Sequence, residues 1–161
     1  MKKLILGTVL AASTFAGSFA EAKDLRELSV QAKAVILQDI VIPQGSVKYF
    51  QHGVEVTSLQ KLDVNGVFCN VGVWSFGNSL VHHDSLLKTG ERGIVNSSED
   101  VWSDHYKEVL VGFTRQGESG KIRIRCQKHS EWQGGYTYYN LENPTVSDAN
   151  EALKGVINIF E

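Results

Sequence analysis

Two short segments, each with one of the chain's two cysteines, constrain the fold most. In residues 67–73, Cys69 alternates in step with three valines. In residues 121–126, Cys126 alternates in step with two isoleucines, and the positions between them are basic. Side chains of a β-strand point to opposite faces in turn, so this alternation predicts two half-buried strands. Both thiols are therefore expected to point toward a core.

The first 22 residues have the pattern of a bacterial-type secretory signal peptide. Lys2 and Lys3 precede an uncharged, mostly apolar stretch over residues 4–16, and Ala20 and Ala22 supply the small residues of a cleavage site. The pattern predicts cleavage after Ala22, with cleavage after Ala20 as the alternative. A membrane anchor is the competing interpretation, but the 17 residues from Leu4 to Ala20 are at the short end of what spans a bilayer.

Removal of 22 residues from the chain of 161 leaves 139, enough for a single domain of ordinary size. We therefore expect residues 1–22 to be a signal peptide and residues 23–161 to form one β-rich domain, exported to the periplasm or outside the cell. The remaining sequence contains no second apolar stretch of membrane length, so no membrane insertion is expected after cleavage.

Export decides how the cysteines are interpreted. Two cysteines in an oxidising compartment usually pair with each other, so we predict a disulfide between Cys69 and Cys126. It would close a loop of 58 residues, counted from one cysteine to the other. Buried free thiols, or a reactive or metal-bound cysteine, are the alternatives. The chain has no C-x-x-C pair, the usual spacing for redox or zinc chemistry.

Charge and composition exclude several classes of protein. With 16 basic and 18 acidic residues, a net charge of -2 and 42% hydrophobic residues, the chain is not disordered, and it gives no reason to expect nucleic acid as a partner. It contains no phosphate-binding loop, dinucleotide fingerprint, nucleophile elbow or H-E-x-x-H pair. No cofactor and no metal are therefore expected, and the sequence assigns no catalytic residue.

The remaining pattern predicts a β-rich α+β fold. Its single antiparallel sheet should be curved or barrel-like, with a C-terminal helix followed by a short final strand. Thr145 and Asp148 have the spacing of a capping box at the start of that helix. His52-Gly53 suits a tight hairpin turn, and residues 23–33 suit a short amphipathic helix or a frayed arm. The predicted strands are residues 34–42, 47–51, 54–58, 67–76, 107–114, 121–127 and 156–160.

Residues 77–106 follow no regular pattern. They are rich in Ser, Asn, Asp and Gly, and they lie inside the loop that the predicted disulfide closes. A long irregular segment in a compact domain is usually functional or disordered. This segment is therefore where a site built from loops is expected first.

The most suggestive polar residues of that segment are His82, His83 and Asp84, since imidazole and carboxylate groups can bind metal or move protons. Adjacent residues of an extended chain point to opposite faces, so the two histidines cannot easily share one ion. Only His82 with Asp84, or a distant partner such as Asp104 or His105, would work. A set of solvated loop residues is the interpretation that the pattern favours.

A second polar group consists of Asp100, Asp104, His105 and Glu108. Their spacing fits one helical face if residues 98–106 form a turn of helix. A charge pair on the surface is then favoured over a catalytic pair, which needs a cleft and perturbed pKa values.

A basic stripe of Lys121, Arg123 and Arg125 lines the polar face of a predicted strand, with Lys128 and His129 just after it. Such a stripe can bind an anionic polymer or a lipid head group. A solvated strand face, or a charged edge that prevents pairing with another chain, is the favoured alternative.

An aromatic cluster of Trp132, Tyr136, Tyr138 and Tyr139 surrounds a pair of glycines. These side chains can stack on sugar rings or on bases. Strands also favour aromatic residues for packing alone, and that interpretation is preferred here.

These patterns predict an exported soluble module of the bacterial envelope that is not an enzyme and acts as a binding, accessory or inhibitor protein. Its partner is expected to be another envelope protein or a glycan. The alternative is a small periplasmic hydrolase with a loop-built site, drawn from His82, His83 or His105 with Asp84 or Asp104. An ordered pocket that contains those side chains would favour the enzyme.

Protein recovered from the envelope should begin at Lys23, or at Glu21 if the earlier cleavage site is used. The small residues at Ala20 and Ala22 are what signal peptidase requires at these positions. N-terminal sequencing of the exported protein checks this expectation. An intact Met1 on envelope-located protein would contradict the signal peptide.

Overall fold

In a computed structural model of the chain, the described residues are 23–57, 66–75, 79–103, 106–115, 121–133, 136–139 and 143–161. Within 99–103 and 106–110, at 113 and 115, and over 129–133 and 136–139, the description covers the backbone alone. The predicted signal peptide and its cleavage site lie outside these ranges, as do Asp104 and His105.

The predicted β-rich fold with a helix near the C-terminus and a final strand is confirmed. The described elements are a 3₁₀ helix (Leu25–Glu27), β1 (Lys33–Ile36), β2 (Ile40–Ile42), β3 (Val47–Gln51), β4 (Val54–Val56), β5 (Val67–Trp74), β6 (Ser85–Leu87), β7 (Arg92–Ser103), β8 (Tyr106–Arg115), β9 (Lys121–Gln133), β10 (Tyr136–Tyr139), α1 (Val146–Ala152) and β11 (Ile157–Phe160). Nine of these strands form one curled antiparallel sheet, a half-barrel, in the order β11-β1-β7-β8-β9-β5-β3-β4 with β10 paired to β9. The other two, β2 and β6, form a small ribbon.

One face of the large sheet packs in the hydrophobic core. On the adjacent strands β5 and β9, alternate residues are fully buried, namely Cys69 and Val71 on one strand and Ile124 and Cys126 on the other. This is the alternation that the sequence predicts for half-buried strands. Other described core residues include Leu25, Ala34, Ile36, Phe50, Val95, Val111, Ile122, Ala149, Leu153, Ile157 and Ile159. The intervening residues of β5 and β9 lie on the opposite face.

Helix α1 begins with the predicted capping box and also closes one edge of the sheet. The Asp148 N–H donates to Thr145 Oγ1 at 3.1 Å, and the Thr145 N–H donates to Asp148 Oδ2 at 2.8 Å. Asn150 bonds both the backbone N–H and the carbonyl oxygen of Ile159, each at 2.8 Å. Because Ile159 belongs to the end strand β11, this side-chain amide takes the place of a further strand and blocks pairing with another chain there.

The turn between β3 and β4 packs against the end of α1. His52 and Gly53 both have positive φ, 51° and 75°, as the predicted tight turn requires. The Gly53 N–H donates to the carbonyl oxygen of Ala152 at 3.0 Å. A Cβ atom on Gly53 would collide with the carbonyl oxygen of Lys154, so only glycine permits this approach.

The apolar run 34–42 was predicted as one strand, and that prediction is wrong. The chain turns at residues 37–39, so that β1 joins the large sheet and β2 joins the ribbon. Asp39 Oδ1 accepts hydrogen bonds from the Thr89 backbone N–H and from Thr89 Oγ1, both at 2.8 Å. These bonds, the backbone one above all, lower the pKa of the Asp39 carboxyl group. An aspartate that fastens a turn thus interrupts an otherwise apolar run.

Residues 77–106 were predicted to be irregular, and the structure corrects this as well. The segment contains β6 and the whole of β7, which pairs with β1 on one side and with β8 on the other. A β-bulge shifts the register of β7 between Val95 and Ser97. β7 contains many polar residues, so no pattern of hydrophobicity marks it as a strand. Its pairing with β1 and β8 stabilises it instead.

Residues 23–33, predicted as a helix or a frayed arm, form only the three-residue 3₁₀ helix before β1 begins at Lys33. Leu25 is fully buried, and its N–H donates to the carbonyl oxygen of Pro144 at 3.0 Å. The segment is held against the core by packing rather than by helix formation.

The predicted disulfide is confirmed. Cys69 and Cys126 lie directly opposite each other in the register of β5 and β9, and their Cα atoms are 4.1 Å apart. Both side chains have no exposed surface. The bond therefore joins two neighbouring strands in the middle of the core.

Replacement of Cys69 or Cys126 by Ala should lower the free energy of unfolding by about 2–5 kcal/mol, chiefly because the unfolded chain gains freedom. The double variant should be no less stable than the weaker single variant, since both single variants remove the same bond. Denaturant unfolding, monitored by circular dichroism, measures the free energy of unfolding of the two single variants and the double variant. Additive losses, or two thiols that can be alkylated in the oxidised native protein, would contradict the bridge.

Candidate functional site

Asp84, a member of the predicted His82-His83-Asp84 group, has a structural role. Its Oδ1 accepts a hydrogen bond from the Gln44 N–H at 2.9 Å, which ties the turn after β2 to the start of β6. His82 and His83 are both exposed. Within the described residues, no three His, Cys, Asp or Glu side chains lie together as ligands of a metal ion.

Asp100 and Glu108 lie on neighbouring strands, so the helical spacing predicted for residues 98–106 is wrong. In the register of β7 and β8, Asp100 pairs with Val109 and Val101 pairs with Glu108. Asp100 and Glu108 are therefore one register position apart on paired strands, rather than two turns apart on a helix. The other two members of the group, Asp104 and His105, lie outside the described residues.

The predicted basic stripe lies on β9, on the face opposite the core. Lys121, Arg123 and Arg125 alternate there with the buried Ile122 and Ile124. Their register partners on β5 are Trp74, Gly72 and Asn70, respectively. We call these six residues the basic face. The structure thus places all three predicted cations on one surface beside an aromatic side chain.

Lys128, which follows the stripe in the sequence, is not part of the basic face. It has the parity of the core-facing residues of β9, and its Nζ lies 3.4 Å from Asp148 Oδ2 in the first turn of α1. An acidic residue in the first turn of a helix is favourable in itself. Lys128 therefore ties the sheet to the start of this helix.

Trp74 lies over Gly72 on the basic face. A Cβ atom on Gly72 would be 2.7 Å from Trp74 Cη2 and 2.8 Å from Val47 Cγ1, closer than Cβ atoms approach other heavy atoms. Trp74 as a residue is only 8% exposed. Glycine inside a strand often marks such a close approach. The missing side chain of Gly72 thus makes the space that the indole occupies.

Both arginines of the basic face lie against this indole. The guanidinium carbon of Arg123 is 5.4 Å from the Trp74 ring centroid, and that of Arg125 is 5.8 Å from it. These distances are within the range of cation–π attraction. The ring therefore restrains two long side chains that would otherwise sample many rotamers.

The side chain of Asn70, on the basic face, is incompletely bonded. Its Oδ1 is shut off from solvent and accepts no hydrogen bond. Asn70 lies opposite Arg125 on one side and opposite Tyr49 of β3 on the other. The Tyr49 ring is 6.4 Å from that of Phe68, centroid to centroid, so the surface continues as an aromatic pair.

The predicted aromatic cluster lies on the hairpin of β9 and β10. Trp132 pairs with Thr137, and Gln133 pairs with Tyr136. The cluster therefore lies on strands. Its side chains are outside the described part of the structure.

A second surface feature lies beside β1, β7 and β11, which β8 separates from β9 and β5 in the sheet. A cleft of about 570 Å³ is lined by Ser29, Gln31, Lys33, Ile94 and Glu161. The ion pair with Lys23 lowers the pKa of the Glu161 carboxyl group, chiefly through a side-chain hydrogen bond. The charge of Glu161 is thus compensated by a residue outside the lining, and the lining itself has one cation, Lys33, and one apolar side chain, Ile94.

Comparison of the chain with protein-family models, with curated proteins and with solved structures finds no match. No helix among the described residues is long and apolar enough to cross a membrane.

Sequence reasoning identified the three cations of the basic face but missed Asn70, Gly72 and Trp74. The missed residues occupy the alternate positions of the cysteine strand, facing away from Cys69. That parity was readable from the sequence and could have placed them on one face. Their position beside Arg123 and Arg125 was not readable, because it depends on the pairing of two strands that are distant in the chain.

Substitution of Gly72 by Ala should lower the free energy of unfolding by about 1–3 kcal/mol, since the new methyl group must displace the indole or Val47. Part of this loss should disappear when Trp74 is replaced by Ala, because the main obstacle is then gone. A double-mutant cycle tests this: the free energies of unfolding of Gly72→Ala, Trp74→Ala and the double variant are measured by denaturant unfolding. Strictly additive losses would show that the ring does not lie over Gly72.

Proposed function

We propose that this chain is an exported protein of the bacterial envelope that is not an enzyme and that binds an anionic ligand through the basic face. The observation that carries the proposal is the contact of the Arg123 and Arg125 guanidinium groups with the Trp74 ring, at 5.4 and 5.8 Å from its centroid. The proposed ligand belongs to an envelope glycan or to another envelope protein.

The arrangement of the cations supports a ligand with several negative charges. Lys121, Arg123 and Arg125 follow each other at every second residue of one strand, which puts neighbouring positions roughly 6.6–6.8 Å apart. A linear anion that runs along β9 would meet all three cations. Guanidinium groups also suit carboxylates and phosphates better than ammonium groups do, because they offer two parallel N–H donors.

The restraint of the arginines supports binding further. Side chains that are ordered before the ligand arrives lose less conformational entropy on binding. Trp74 restrains both guanidinium groups, and the Cys69–Cys126 bond fixes the two strands beneath them. The basic face contains no carboxylate, imidazole or thiol, so its residues are suited to recognition rather than to proton transfer.

Two observations support export. The first 22 residues have the pattern of a signal peptide. The disulfide is of the kind that persists in oxidising compartments such as the periplasm. Placement in the periplasm or outside the cell follows from the proposal.

Binding of fluorescent polygalacturonate, a linear polyanion, to the purified oxidised protein tests the function. Arg123→Gln/Arg125→Gln should weaken binding by about tenfold or more, because each lost charged contact contributes on the order of 1.5–3 kcal/mol. Added salt should weaken wild-type binding by screening the exposed charges.

The matched control is Lys88→Gln/Arg92→Gln, which removes the same net charge from exposed positions outside the basic face. Its affinity should stay within about twofold of wild type, as expected of surface substitutions. Equal losses in the two double variants would show that only net charge matters. Absence of binding by the wild-type protein would refute the proposed function.

A further inference from the structure

We infer that the anionic ligand is an acidic polysaccharide, recognised through its hydroxyl groups as well as its charge. This inference rests on the proposed function of the basic face and names its ligand class. It is carried by Asn70, whose Oδ1 is buried and accepts no hydrogen bond in the free protein.

A buried acceptor without a donor is unusual, since nearly all such atoms in folded proteins are bonded to protein or to water. The free oxygen lies among residues that already favour an anion. Carboxylate, sulfate and phosphate groups accept hydrogen bonds in their ionised form and cannot supply the missing donor. A hydroxyl group can supply it. The ligand that fits therefore carries an anionic group and a hydroxyl group close together.

The separation of the two protein groups agrees with a sugar acid. Asn70 and Arg125 are directly opposite each other across β5 and β9, and residues so paired have Cβ atoms about 4.5–5.5 Å apart. A uronic acid holds its carboxylate and its free ring hydroxyl groups at fixed separations on one rigid ring. One sugar residue can therefore place the carboxylate at Arg125 and the hydroxyl group at Asn70. An acidic peptide has its carboxylates on flexible side chains, so its charge and its N–H donors are less well ordered.

Access to Asn70 requires one movement. Because Oδ1 is closed to solvent, a neighbouring side chain must move before a ligand reaches it. Arg125 is directly opposite, and its guanidinium group is the one that a carboxylate would attract. Binding is thus expected to shift this group along the Trp74 ring far enough to admit a hydroxyl group to Oδ1, while both arginines remain in contact with the ring.

Four polymers of matched length separate the possibilities: polygalacturonate (carboxylates and hydroxyls), polyacrylate (carboxylates without hydroxyls), dextran (hydroxyls without charge) and polyglutamate (an acidic peptide). Wild-type protein should bind polygalacturonate about tenfold more tightly than polyacrylate or polyglutamate, the effect expected when a buried acceptor without a partner gains a hydrogen bond. Dextran should not bind measurably.

Asn70→Ala should remove the preference for polygalacturonate and leave affinity for polyacrylate within about twofold. The matched control is Asn158→Ala, which removes a half-buried asparagine from the end strand β11. Asn158→Ala should keep the preference for polygalacturonate over polyacrylate. Asn70→Leu provides a second variant of similar volume, and the unfolding midpoint of each variant verifies that it is folded.

The outcomes distinguish this inference from the function on which it rests. Equal binding of polygalacturonate and polyacrylate, unchanged in Asn70→Ala, overturns the inference and leaves an anion-binding protein. Polyglutamate that binds as tightly as polygalacturonate, with a dependence on Asn70, makes the ligand an acidic peptide and overturns it too. No binding of any polyanion overturns both.

Discussion

The disulfide between Cys69 and Cys126 is the constraint on which both faces of the sheet depend. The two residues are opposite each other and fully buried, so the bond fixes the register of β5 against β9 and also decides which side of each strand faces the core. Once the sulfur atoms point inward, alternation places Trp74 and the arginines on the other side. Stability and the proposed binding therefore use alternate residues of the same two strands.

Sequence reasoning was most successful where the deciding interactions are local. The alternation around the two cysteines, the capping box at Thr145 and Asp148, and the turn at His52 all depend on residues within a few positions of one another. The structure confirms each of them. The basic stripe was also placed on the correct side of its strand, because strand parity is a local property.

The features that were missed depend on contacts between distant segments. β7 is a strand because β1 and β8 pair with it, although its composition resembles a loop. The run 34–42 divides because Asp39 bonds to Thr89, fifty positions away. The indole of Trp74 becomes part of a site only after β9 brings Arg123 and Arg125 to it. Patterns of hydrophobicity carry no information about such partners, so the sequence did not predict that Asn70, Gly72 and Trp74 belong to the basic face.

The most direct test of the proposed site is a map of amide chemical shifts during titration with a short oligogalacturonate. If the outer surface of β5 and β9 binds the ligand, the largest changes should occur at Asn70, at Trp74 together with its indole N–H, and from Lys121 to Arg125. The exposed histidines His82 and His83 should not change. Changes concentrated at those histidines or in the cleft beside Glu161, with the basic face unaffected, would contradict the proposed site.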